Sequence, residues 1–255
     1  MTSYTTILVD IEERLATVTF NRPEKRNAID VTMVNELHDV LDGFVADGEV
    51  RACVFTGAGG KAFVAGADIG QLRERTAADA LDAINATLFD RIESLPFPTV
   101  AAIRGYALGG GCELAMACDL RVAGQGTRLG QPEVALGIIP AGGGTQRLPR
   151  LVGLGRAKDL ILTGRIIDAA EAHRIGLVNR VVPDGDVLDA ARELAGTILQ
   201  QGPLAVRLAK QALNASGRAG GDVALLLEQI SQAVLFDSED KRERMTAFLE
   251  KRRKK

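Results

Sequence analysis

Two glutamates stand twenty positions apart, Glu113 in GYALGGGCELAMACD (105–119) and Glu133 in LGQPEVALGIIPAGGGTQRL (129–148), each close to clustered glycine. Glycine leaves backbone N–H groups bare, and a carboxylate beside them supports acid or base chemistry on a substrate whose developing charge those N–H groups catch. The pairing points to an enzyme without a metal. A third glycine cluster, AGAD (65–68), sets Ala67 between glycine and aspartate, where small neighbours leave its amide open. In LGGGCELA (108–115) three glycines precede a short helix, whose first N–H groups are unpaired and carry partial positive charge. Amides near Ala67 and Gly110 therefore suit one developing oxyanion. Each feature alone has a plainer reading: glycines serve tight turns or close packing, and Glu113 three residues into a helix is a favourable dipole partner. Three clusters in step with two carboxylates weaken that reading.

Other glycine motifs fail on context. GAGGKA (57–62) follows a strand and matches the dinucleotide fingerprint, yet the next residues, FVAGADIG, are glycine-broken instead of opening a helix. The second strand with a terminal acid is missing too, and no G-x-x-x-x-G-K-[ST] loop exists.

The elements that must position these residues alternate. Residues 6–11 and 15–20 read as strands around a polar turn, followed by the breaker NRPEKRNA. Val31, Val34, Leu37, Leu41, Phe44 and Val45 recur at helical spacing, with Asp30 placed to cap the start and Gly48 near the end. Further strands are expected at 51–57, 98–105 and 119–124, with helices at 77–95 and 110–118. The pattern is an α/β domain with mainly non-hairpin connections. After about residue 195 it turns to helices alone, near 203–215, 221–236 and 238–252. The chain thus divides into a core, 1–195, and a helical region, 196–255.

With 255 residues, 27.1 kDa and 46% hydrophobic content, the chain can bury a substantial core. Its apolar runs fall short of the roughly 20 residues of a spanning helix, and its start resembles neither a signal nor a transit peptide. A cytoplasmic protein off the membrane is expected. The net charge of −2, with acids and bases interspersed, gives no broad field for nucleic acid. The terminal KRRKK (251–255) reads either as a solvated tail or as a local anion contact. Cys53, Cys112 and Cys118 form no C-x-x-C pair and suit small core positions. Only His38 and His173 are available, too few for a histidine-rich metal site and poor material for a Ser-His-Asp triad.

Six segments together, NRPEKRNAI, KAFVAGADI, GYALGGGCELAMACD, GQPEVALGIIPAGGGTQRLPRLVG, LTGRIIDAAEAHRIGLVNRVV and MTAFLEKR, resemble the enoyl-CoA hydratase/isomerase, or crotonase, superfamily in their usual order. The likeness runs from residue 7 to 252. It implies an α/β superhelix of repeated strand-strand-helix turns, with C-terminal helices that help build a homotrimer or a homohexamer. It also implies that the Ala67 and Gly110 amides form the oxyanion hole for an acyl-CoA thioester, and that Glu113 and Glu133 are the catalytic pair of a hydratase. No cofactor is implied, CoA being part of the substrate. Lys25, Arg26 and Ala28, with Ala65, Asp68 and Ile69, fall where relatives bind substrate or CoA, and Phe248 and Lys251 resemble a C-terminal pair that reaches the nucleotide. Lys25 and Arg26 read equally well as solvated surface charges. Ile69, Leu72 and the 77–95 helix are expected to cover the acyl tail. Two departures stand out: Ala141 replaces a usual glycine near the attacking water, and Gly70 replaces a lysine of some short-chain hydratases. The expected reaction is reversible hydration of 2-enoyl-CoA to 3-hydroxyacyl-CoA, of fatty-acid β-oxidation type. Its rivals are a 3-enoyl to 2-enoyl isomerase, another acyl-CoA lyase, and a non-enzymatic RNA-associated relative. With aromatics at 4%, the last is poorly supplied with stacking surface.

Overall fold

The chain opens on a hairpin in which β1 (Ile7–Glu12) and β2 (Leu15–Phe20) pair antiparallel through Glu13 and Arg14, both at positive φ (47° and 71°). This tight turn matches strand twist, as two-residue hairpin loops require. The structure is a computed structural model and describes residues 4–217 and 221–253. Lys254 and Lys255 of the basic tail lie outside them.

After a 3-10 turn at Pro23–Lys25 comes α1 (Val31–Asp47), capped as its sequence demands. The Met33 N–H donates to Asp30 Oδ1 at 2.8 Å, and Gly48 takes the left-handed cap (φ 73°). Then β3 (Ala52–Gly57) and β4 (Ala62–Val64) lead to α2 (Ile69–Glu74), α3 (Ala77–Asp82) and α4 (Ile84–Glu93). Where the pattern predicts one helix over 77–95, the chain breaks at Ala83, which is left-handed (φ 49°). The second turn is β5 (Thr99–Ile103), β6 (Tyr106–Leu108) and α5 (Gly110–Ala117). The third is β7 (Leu120–Gly124), β8 (Arg128–Gly130), a 3-10 turn at Glu133–Leu136, α6 (Gly144–Val152) and α7 (Leu154–Thr163). The core closes with β9 (Ile166–Asp168), α8 (Ala169–Arg174), β10 (Arg180–Val182) and α9 (Val187–Leu199). Last come α10 (Pro203–Ser216), α11 (Gly221–Phe236) and α12 (Glu239–Arg253).

This is an α/β fold in which each turn contributes one strand to each of two sheets. A six-stranded sheet runs β1-β2-β3-β5-β7-β10, parallel from β2 onward, and a four-stranded sheet runs β4-β6-β8-β9. Parallel strands are covered on both faces, and alternation sorts them here. Cys53, Phe55, Ala101 and Ile103 face the core shared with α1, α4 and α5, whereas Ala52, Val54, Val100 and Ala102 face Val187, Ala191 and Ala195 of α9. A boundary at residue 195 therefore falls inside α9, a helix packed on the sheet. The glycine loop after β3 leads into β4, and Gly105 (φ 71°) turns β5 into β6 where no Cβ fits beside the Lys61 carbonyl.

Candidate active site

The strands deliver three loops to one place. The first is tied down by the NRPEKRNA segment, where Asn27 is fully buried and left-handed (φ 58°). Its Nδ2 donates to the Ala58 and Ala62 carbonyls at 3.0 and 2.8 Å, and its Oδ1 accepts from the Arg22 N–H at 3.0 Å. The strap continues along the AGAD loop, with Ala65 N–H donating to Arg26 O at 3.1 Å, Ile29 N–H to Gly66 O at 2.9 Å and Asp68 N–H to Ile29 O at 2.9 Å. Those bonds occupy the Ala65 and Asp68 N–H groups and the Gly66 carbonyl, and leave the Ala67 N–H without a protein partner among the described residues. The Gly110 N–H, at the first position of α5, is likewise unpartnered among them. A Cβ on Gly110 would stand 3.6 Å from Ala67 N, so the two amides lie side by side.

Both glutamates are buried close by. Glu113 is 4% exposed, and its Oε1 accepts the Gly144 N–H at 2.8 Å. The fit needs glycine, because a Cβ on Gly142 would stand 2.7 Å from Glu113 Oε2 and one on Gly144 2.9 Å from Oε1. Glu133 is 9% exposed and leans over Gly109, whose Cβ would stand 3.0 Å from its Oε1. The Gln131 amide, buried and turned so that both its ends are satisfied, donates to Glu133 Oε1 at 3.0 Å and Oε2 at 3.2 Å. Burial pushes the Glu133 carboxyl up to about 7, and the nearby Glu113 charge adds to that. Burial also raises Glu113, against the Gly144 and Gly142 N–H groups and the Arg147 charge, which favour its ionised form. Two carboxyls with unequal surroundings titrate as a coupled pair that readily holds one proton.

Ala65, Ala67, Ile69, Gly110, Glu113 and Glu133 all line one cavity of about 660 Å³, together with Leu72 and Ala141. Lys25, Arg26, Ala28, Asp68, Phe248 and Lys251 do not line it. Asp68 is occupied as the cap of α2, accepting the Gly70 N–H at 3.0 Å and meeting Arg22. Lys25 and Arg26 are exposed on the strap, and Phe248 and Lys251 are exposed on α12. His38 and His173 are outside the cavity as well, and the three cysteines are buried and free. The sequence reading missed Gln131, Gly142, Gly144 and Arg147, although all four lie in the GQPEVALGIIPAGGGTQRL segment it singled out. Among the described residues no helix is long and apolar enough to cross a membrane.

Paired amides over two buried carboxyls in a ββα superhelix define an acyl-transforming enzyme class. The family model for enoyl-CoA hydratase/isomerase matches residues 10–255. A short-chain-enoyl-CoA hydratase of Clostridium acetobutylicum is 45% identical over 97% of this chain and 95% of its own length. A crotonyl-CoA hydratase of Syntrophomonas wolfei is 46% identical over 98% and 97%. The solved enoyl-CoA hydratase of Bacillus anthracis superposes with a TM-score of 0.93, at 40% identity over 97% of both chains. The chain belongs to the enoyl-CoA hydratase/isomerase family.

Proposed function

We propose that the protein reversibly hydrates 2-enoyl-CoA thioesters to 3-hydroxyacyl-CoA. The observation that carries this reading is the meeting of two amides without a partner among the described residues, Ala67 and Gly110, with two buried carboxyls in one cavity. The thioester carbonyl oxygen accepts from both N–H groups, which draws charge onto that oxygen and makes C3 electrophilic. Glu113, ionised, takes a proton from water as its oxygen bonds to C3. Glu133, protonated, gives its proton to C2 as the C2–C3 double bond becomes single. The glutamates have then exchanged protonation states, and proton exchange with solvent resets them. Dehydration reverses the roles.

A carboxyl held at about 7 remains a proton donor at neutral pH, which an ordinary glutamate does not. No cofactor enters these steps. Lys25, Arg26, Phe248 and Lys251 remain candidates for the CoA nucleotide, outside the reacting cavity. Assembly into a homotrimer, or a pair of trimers, accords with the apolar side chains exposed on α11 and α12, among them Leu226, Ile230 and Phe248. The test is loss of conjugated-thioester absorbance with crotonyl-CoA and a series of longer enoyl-CoAs. Turnover is expected, and none across the series overturns the reading. Product identification from 3-enoyl-CoA separates hydration from double-bond isomerisation.

A further inference from the structure

Arg147, on α6, is 5% exposed and has no contact with the cavity that holds both glutamates. Its guanidinium nevertheless reaches the loop that shapes Glu113. Nη1 donates to the Gly142 carbonyl at 2.8 Å, Nε donates to Glu93 Oε2 at 2.8 Å, and Nη2 meets Asp90. Glu93 and Asp90 belong to α4, which also supplies Phe89, whose ring edge would stand 2.8 Å from a Cβ on Gly142. On the far side α4 is itself held, since Asn214 of α10 donates to the Glu93 carbonyl at 2.9 Å. One side chain thus joins the 140–144 loop to a braced helix.

We infer that Arg147 is a positioning residue for Glu113: by fastening the Gly142 carbonyl to α4 it fixes the Gly144 N–H that orients the Glu113 carboxylate. The planar fork is what the task requires, because three bonds in three directions leave from one rigid group, and a lysine ammonium on a flexible stem does not reproduce them. Charge contributes as well. The groups facing Glu113 are Glu133 from the 3-10 turn, Cys112 beside it on α5, the Gly142 and Gly144 N–H groups, and Arg147 from α6, with Asp90 and Glu93 of α4 behind the guanidinium. Of these only Arg147 is a cation. Removing it therefore disfavours the ionised Glu113 that the proposed hydration needs.

The inference rests on that reading of the reaction, so the test has a readout that does not depend on turnover. The Glu113 carboxyl is followed by carbon-13 NMR titration of the intact protein, with Glu113→Gln as the assignment control, alongside kcat and KM for crotonyl-CoA. In Arg147→Met the titration midpoint is expected to rise, and kcat to fall about tenfold or more with KM within threefold. Arg147→Lys keeps a charge but not the fork, so its midpoint stays near wild type while kcat remains low. Glu93→Gln, which loosens the clamp and keeps the cation, lowers kcat without raising the midpoint. Should Arg147→Met not fold, the other two variants decide. Full recovery of kcat by Arg147→Lys, or wild-type kcat in Glu93→Gln, overturns the positioning role. An unmoved Glu113 midpoint in Arg147→Met overturns the electrostatic part. A wild-type protein inactive on every enoyl-CoA overturns the hydratase reading, while the titration still judges the coupling of Arg147 to Glu113.

Discussion

Glu113 and Glu133 are chemically identical side chains in different surroundings. If Glu113 acts as base and Glu133 as acid, Glu113→Gln and Glu133→Gln each lower kcat about a hundredfold or more, the scale of general acid–base catalysis. Wild-type-like steady-state rates in both variants would remove them from the mechanism. Hydration also requires Glu133 to hold its proton, so kcat/KM for the forward reaction falls as pH rises through about 7. A flat profile from pH 6 to 9 would contradict that assignment. The same carboxyl affects folding. Its folded-state value lies above the ordinary 4.5, so its favourable contribution is complete below about 4.5 and is lost as pH rises through about 7. Glu133→Gln is therefore expected to be more stable than wild type by about 1–3 kcal/mol at pH 8 and to lose that advantage near pH 4.5; urea unfolding at both values checks it. The pair was legible because carboxylates beside glycine are rare enough to notice. Gln131 was not, since one amide before Pro132 carries no pattern, and only the fold shows that it clamps Glu133.

At the scale of elements, what could be read from sequence was what has a period or a cap. The Asp30 cap and the apolar stripe of α1 are local chemistry, so they were legible. The sheet β4-β6-β8-β9 was not, because each of its strands is three residues long, too short for alternation to register. The break between α3 and α4 escaped for another reason: Ala83 is left-handed without being glycine or asparagine, so no residue type announces it. That corner shapes the cavity wall, where Ala80, Ala83 and Ala86 present small side chains beside Ile69, Leu72 and Ile84. Under the proposed function, the space beside these alanines is room for an acyl tail. Ala86→Phe is accordingly expected to lower kcat/KM for a ten-carbon enoyl-CoA by about tenfold or more relative to crotonyl-CoA, since each excluded methylene forfeits about 1 kcal/mol or more. Equal losses for both substrates, measured across the chain-length series, would place the tail elsewhere.

For the whole molecule, the distribution of apolar surface is informative. In α11 the sole described buried residue is Ser231, whereas Val223, Leu226, Ile230 and Val234 form a stripe at helical spacing and are 62%, 55%, 53% and 49% exposed. A helix apolar on its outward face is stable in water only when something covers it. Helices α10 to α12 supply such a surface in every copy, and in the proposed assembly head-to-tail contacts between different patches of neighbouring copies close the ring. Three copies of a 27.1 kDa chain give a particle of about 81 kDa, and six twice that, which light scattering after gel filtration distinguishes. Replacing Leu226 and Ile230 together by glutamate puts two charges into the stripe that the proposed assembly would bury, at several kcal/mol per contact face. The double variant is expected to elute as a 27.1 kDa monomer at micromolar concentration. The cavity is lined by one chain, from the 65–67 loop after β4, α2 to α4, α5 and the loops around Glu133 and Gly142. If Phe248 and Lys251 hold the CoA nucleotide and assembly steadies α12, the monomer keeps both carboxyls in place and shows a raised KM before a lowered kcat. An unchanged KM in a proven monomer would overturn that dependence of nucleotide binding on assembly.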